Sequence, residues 1–132
     1  MMFEYIEELI ETRLETEWTQ TEIDFDNVPF SSVIGTSFIR LQVENVDTNL
    51  ISIGGRSRGY GIILISVFTP AQTGARSGAK MADDLAAIFN LWHYEQLKCG
   101  LARVTRIGEE KEWYQLNVEI PFQYDECFQI QT

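Results

Sequence analysis

Apolar residues recur at three- and four-residue steps at the start of the chain: Phe3, Ile6, Ile10 and Leu14, with Leu9 beside the stripe. That spacing predicts an amphipathic helix over roughly 2–17. The opposite face is rich in glutamate. Glu4–Glu8, Glu7–Glu11 and Glu11–Glu15 are like-charged pairs four residues apart, and each opposes an isolated helix by a few tenths of a kcal/mol. The helix must therefore be held by packing of its apolar stripe.

The period then shortens to two. Ile23-Asp24-Phe25 alternates and reads as a short edge strand, and Pro29 makes the adjoining stretch a loop. Ile39, Leu41 and Val43 put one apolar face on a strand over 38–46, and Leu50-Ile51-Ser52-Ile53 resumes it after a break at Asp47-Thr48-Asn49. Gly54-Gly55-Arg56-Ser57-Arg58-Gly59 reads as a glycine-rich basic loop. The next strand, 60–68, has an unbroken apolar middle, Ile62-Ile63-Leu64-Ile65, which predicts burial on both faces.

Thr69-Pro70 stops that strand. A helical period returns over roughly 75–91, with Met81, Leu85, Ile88 and Trp92 as its stripe and Ala82 and Phe89 widening it. The small residues along it permit close approach to a sheet. Leu101–Ile107 reads as a strand and Gly108–Lys111 as a turn. From Tyr114 to Tyr124, apolar residues alternate with polar ones without a miss, which marks a half-buried antiparallel strand with one wet face. Pro121 lacks a ladder donor, so the later part of this strand is expected at an edge or bulge. The order of elements predicts an α+β fold, a mainly antiparallel sheet with an N-terminal helix and a central helix packed on one face. With 132 residues and neither repeat nor linker, a single domain over 1–132 is expected.

Charge adds an asymmetry. The net charge is −10, and the stretch up to Asp26 holds nine acids against Arg13 alone, which leaves only −2 for the rest. Such a face solvates a helix or docks a partner. It opposes binding to nucleic acid, which needs a basic surface. No apolar run approaches the ~20 residues of a membrane helix, and the acidic start lacks the pattern of a signal peptide, so no membrane association and a cytoplasmic site of synthesis are expected.

Candidate chemistry is sparse. Cys99 and Cys127 form no CxxC, and with His93 they make too few ligands for zinc. His93 has no activated Ser or Cys nearby in sequence and reads as a cap or surface residue. Gly74-Ala75-Arg76-Ser77-Gly78-Ala79-Lys80-Met81 occupies the place of a phosphate loop, yet its spacing is short and Met81 offers no hydroxyl to a metal. Asp24 and Asp26 lack the glycine and distal glutamate of a calcium loop. No catalytic residue, cofactor or metal is expected. A small ligand-binding or enzymatic domain stays an alternative, because acid pairs can meet in three dimensions only.

One ordered set of short features points further. Asn27-Val28-Pro29-Phe30 precedes the strand Phe38-Ile39-Arg40-Leu41. Ser52-Ile53-Gly54-Gly55, Arg58-Gly59-Tyr60-Gly61 and Val67-Phe68-Thr69-Pro70 come next, then Thr73-Gly74 and the alanine-rich helix through Ala82-Asp83. Over roughly 25–92 this succession resembles the tail terminators of long-tailed bacteriophages. The resemblance implies a structural virion protein, made in the host cytoplasm and carried in the phage tail. It implies a homo-oligomeric ring, six-membered, that caps the head-proximal end of the tail tube and meets both the major tail tube protein and the head–tail connector. Another head–tail connector or a minor tail protein is the alternative within the same class. A ring needs two different patches that fit each other. The acids Glu4, Glu8 and Glu11 on the first helix, and Arg56 and Arg58 on the glycine-rich loop ending at Tyr60, are the expected interface.

Overall fold

The structure, a computed structural model, describes residues 2–25, 36–50, 55–71, 75–110 and 112–127. Two helices lie on one face of a curled sheet. The elements are α1 (Met2–Glu17), β1 (Glu22–Phe25), β2 (Phe38–Leu50), β3 (Arg56–Pro70), α2 (Ala75–Phe89), β4 (His93–Tyr94), β5 (Leu97–Cys99), β6 (Arg103–Glu110) and β7 (Trp113–Cys127). The sheet runs β1-β2-β3-β7-β5-β4, and β6 pairs with β7 beside β5. Among the described strands only β1 and β2 pair in parallel; the other pairs are antiparallel. This is the expected α+β class.

Register explains the core. Ile39 lies opposite Val67, Leu41 opposite Ile65 and Val43 opposite Ile63. Across β3 the same row continues into Leu116, Val118 and Ile120 of β7. These side chains form the inner face, and the helices cover it. Ile6, Ile10 and Leu14 of α1 and Leu85 and Phe89 of α2 are fully buried there. The stripes read from periodicity are thus the packing faces. Gly78 marks the tightest approach, since a Cβ there would meet Leu116 Cδ1 at 2.5 Å.

The helices also lock each other. α2 has no basic residue in its last turn, which leaves its carbonyl end without the usual complement. Arg13 of α1 supplies it: its Nε and Nη2 donate to Ile88 O at 3.0 and 2.8 Å. The same guanidinium lies 4.8 Å from the centre of the Trp92 ring. The lone base of the acidic N-terminal stretch is therefore a helix cap rather than surface charge.

Five expectations need correction. β2 does not break at 47–49; it runs on to Leu50 and absorbs one extra residue as a bulge between Asn45 and Asp47. β3 begins at Arg56, so 56–59 is strand and not loop. Its glycines serve close approach: a Cβ on Gly59 or Gly61 would collide with the rings of Tyr124 and Phe122 across the ladder. Residues 108–110 of the expected turn are also strand, with a bulge between Arg106 and Gly108, and Lys111 lies outside the described residues. α2 ends at Phe89, because Leu91 turns into the left-handed region at φ 53°. The hairpin of β4 and β5 comes next, where a helix end alone was expected.

Pro121 is the fifth. β7 is a central strand, flanked by β3 and by β5 with β6. Pro121 O accepts from Gly100 N at 2.8 Å. In an antiparallel ladder a residue's N and C=O point the same way, so the missing donor of Pro121 faces the gap between β5 and β6. The ladder loses nothing there. The Asn27–Phe30 and Ile51–Gly54 stretches lie outside the described residues.

Candidate assembly surfaces

The outer face of the sheet carries no described helix. Its residues come from the other phase of the same strands: Arg40, Gln42 and Glu44 of β2, Ile62, Leu64 and Phe68 of β3, and Gln115, Asn117 and Glu119 of β7. The expected burial of 60–68 on both faces is corrected here. Ile63 and Ile65 are fully buried, whereas Ile62 and Leu64 are only half-buried. Near one end an aromatic group closes over itself. Phe38 stacks on Phe68 with ring centres 4.7 Å apart and meets Trp113 edge-on at 5.2 Å. Arg40 lies over Phe68 and pairs with Asp24 at 2.7 Å, which fastens edge strand β1 to β2.

At the other end, the first residues of β3 and the last of β7 extend as an arm. Arg58 pairs with Asp125, Nε to Oδ1 at 2.7 Å and Nη2 to Oδ2 at 3.2 Å. The guanidinium holds the Asp125 carboxyl below its ordinary pKa, and the carboxylate, with Tyr60, raises that of Arg58. Arg58 is thus a strut within the chain, against the expectation of a loop residue free to reach a neighbour. Arg56 and Tyr60 share its face of β3 and are exposed, and Lys98 of β5 adds charge close to Asp125.

The acids of α1 lie on the other side. Phe3 packs against the Tyr124 ring, with centres 6.4 Å apart, on the inner face of the same arm. Glu4 and Glu8 are exposed and Glu11 is half-buried. The acidic helix and the basic arm patch therefore face opposite directions. Glu8 also lines an open cleft of about 380 Å³ with Tyr5, Thr12, Arg13, Trp92 and Tyr94. Tyr5 Oη donates to Glu95 Oε2 at 3.0 Å, a bond that raises the tyrosine pKa. A second open cleft, about 300 Å³, runs beside Tyr60, Lys98, Gly100 and Pro121.

Cys99 also lines the second cleft. Cys99 is buried, and burial pushes its thiol up to about 12, so it stays protonated and unreactive. His93 is exposed on β4. Among the described residues no group of three or more His, Cys, Asp or Glu converges as metal ligands. Among the described residues no helix is long and apolar enough to cross a membrane. Position 78 of the phosphate-loop-like segment is helix packed on β7, and 72–74 lie outside the described residues. The Cys127 side chain lies outside them too.

Sheet edges are the remaining exposed features, and sequence reasoning missed them. β1 pairs only with Phe38–Leu41, so no described strand pairs with the outer side of β2 beyond that point. No described strand pairs with the outer side of β6. The bulge residues of these two strands are apolar and exposed: Val46 at 62% and Ile107 at 53%. Only the pairing order of the sheet identifies them as edges.

Known proteins share this architecture. A family model described as phage tail terminator protein matches residues 5–122. A solved structure covers 95% of this chain and 98% of its own at a TM-score of 0.64, with 15% sequence identity. At that identity it supports the fold alone. A comparison with curated protein sequences gave no match.

Proposed function

The chain belongs to the phage tail terminator protein family, and on that premise we propose that six copies form a ring that caps the head-proximal end of a tail tube. The family is a structural one of the phage tail, and it places this chain in the virion. In our reading the ring ends tube growth and presents a surface to the head–tail connector. The major tail tube protein and the connector are its axial partners, and the host cytoplasm is where it assembles.

The observation that carries the reading beyond the family is the opposition of two charged surfaces. The acidic face of α1, with Glu4, Glu8 and the partly covered Glu11, looks away from the patch of Arg56, Tyr60 and Lys98 braced by Arg58. Such surfaces cannot satisfy each other within one copy. They suit contacts with two different partners, one on each side of the ring. The net charge supports a conduit role, since six copies at −10 give a formal −60, which repels a duplex in transit.

The test is assembly itself. Purified chain added to growing tail tubes should arrest elongation and leave a ring at one tube end in negative-stain images. A ring that binds the portal side alone would transfer the chain to a connector role. Micromolar binding to double-stranded DNA at physiological salt would contradict the conduit reading.

A further inference from the structure

We propose that the outer face of the sheet docks on the same face of a second copy, about a two-fold axis that runs along the strands between β3 and β7. This pairing of the free chain is separate from the ring contact and does not depend on it. Strand register carries it. Asp47 of β2, Tyr60 of β3, Gln123 of β7 and Lys98 of β5 stand opposite one another as one row across the outer face. Glu44, Ile62 and Pro121 form the next row, and Gln42, Leu64, Glu119 and Arg103 the row after it. Asn49, Arg58 and Asp125 form the row on the other side. A two-fold axis along the strands keeps every row at its own level and reverses its order. β2 then lies over β5 and β6 of the second copy, and β3 over its β7.

Charge alternates across these rows. β2 is acidic with Glu44 and Asp47, and β3 is basic with Arg58. β7 is acidic with Glu119 and Asp125, and β5 and β6 are basic with Lys98 and Arg103. Reversing such a series sets each sign over its opposite. Asp47 meets Lys98 of the second copy, Arg58 meets Asp125, and Glu44 falls between Lys98 and Arg103. Glu119 falls over Leu64 and keeps Arg103 of its own chain opposite it in the ladder. Arg56 and His93 flank the rows, and Glu22, Glu110 and the Arg40–Asp24 pair lie farther along the strands. A two-fold axis across the strands would set Asp47 over Glu44, acid on acid. The acids of α1 lie on the far side of the sheet.

Shape agrees with charge. Tyr60 stands 37% exposed in the middle of the face, next to the open cleft of about 300 Å³ beside Lys98, Pro121 and Gln123. Reversal places Tyr60 of each copy over Gln123 at the cleft of the other, and Ile62 over Pro121. A two-fold patch must offer knob and hole at once, and here they lie one strand apart. Sheets stacked this way keep their strand directions within about 30° and lie about 10 Å apart, a gap that side chains fill. The pair covers the basic arm patch, so it must part before that patch meets an axial partner.

Charge reversal in the free chain decides it. Within one chain Asp47 and Lys98 lie three strands apart, about 14 Å at the usual strand spacing, so they touch only across copies. Variant A carries Asp47→Lys and variant B carries Lys98→Glu; both positions are exposed, and melting curves check folding. Sedimentation should show wild type as a dimer at high micromolar concentration, and A or B alone should pair about tenfold or more weakly. The chain carrying both changes should recover, as should A mixed with B, because each restores opposite charge at both contacts. As a second probe, carbodiimide coupling of mixed heavy- and light-isotope wild type should give an Asp47–Lys98 link between a heavy and a light peptide. A monomeric wild type, full pairing by A or B, no recovery in the doubly changed chain, or no mixed-isotope link would each overturn the pairing. Tube assays keep the two readings apart: capped tubes from a monomeric chain overturn the pairing alone, and a dimer beside bare tubes supports the pairing and removes the ring.

Discussion

The two faces of the sheet are built from the same strands and meet different fates. In β3 the sequence Ile62-Ile63-Leu64-Ile65 offers nearly equal side chains to both. Ile63 and Ile65 vanish under the helices, and Ile62 and Leu64 stay half-buried. Composition cannot assign a face; the neighbours do. On the inner side β2 and β7 add Leu41, Val118 and Ile120, and on the outer side they add Gln42, Glu119 and Pro121. One face is therefore the core of the folded chain, and the other carries polar residues and aromatics.

Paired truncations test this contrast most strongly. Ile63→Ala should destabilise by about 3 kcal/mol, the usual cost of a buried cavity, and Ile62→Ala by about 1 kcal/mol or less. Urea denaturation of both measures it, and equal losses would break the distinction. Gly61→Ala comes next, at about 1–3 kcal/mol, because its methyl would press on both the Phe122 ring and Glu44 O. A neutral result would mean that the arm strands shift apart at no cost. Arg13→Ala should rank third at about 1–2 kcal/mol, from loss of the bonds to Ile88 O and of the Trp92 contact.

The smallest effect is at the arm. Asp125 is a carboxyl with lowered pKa, so its stabilising contribution is present above the ordinary value of 3.8 and fades as pH falls below it. The difference in melting temperature between wild type and Asp125→Asn should be small at pH 7 and smaller still at pH 3. A gap that widens in acid would contradict the pairing with Arg58.

Much of the fold was legible in the sequence, and the reasons are local. The periods of Ile6, Ile10 and Leu14, and of Leu116 to Tyr124, are set by burial on one side, so they survive translation into structure. The arm was misread because Gly54, Gly55 and Gly59 look like loop residues, whereas Gly59 makes room for the Tyr124 ring far along the chain. Proline at 121 misled for a similar reason: the gap that spares it comes from the distant Gly100. The end of α2 carried no glycine, and Leu91 takes the left-handed conformation instead. The basic arm patch was half visible, since Arg56, Arg58 and Tyr60 could be named, but not Asp125, which turns Arg58 inward. The edges at β2 and β6 had no signal at all, because pairing order belongs to the sheet and not to any one strand.

The central claim is capping of a tail tube, and growth of tubes in the presence of the purified chain tests it most directly. Tube protein is allowed to polymerise, chain is added at increasing concentration, and tube length and end structure are read from negative-stain images. Elongation should stop in proportion to added chain, with a six-fold ring at one end of each arrested tube. Tubes that keep growing with bare ends, or chain bound along their sides, would contradict it.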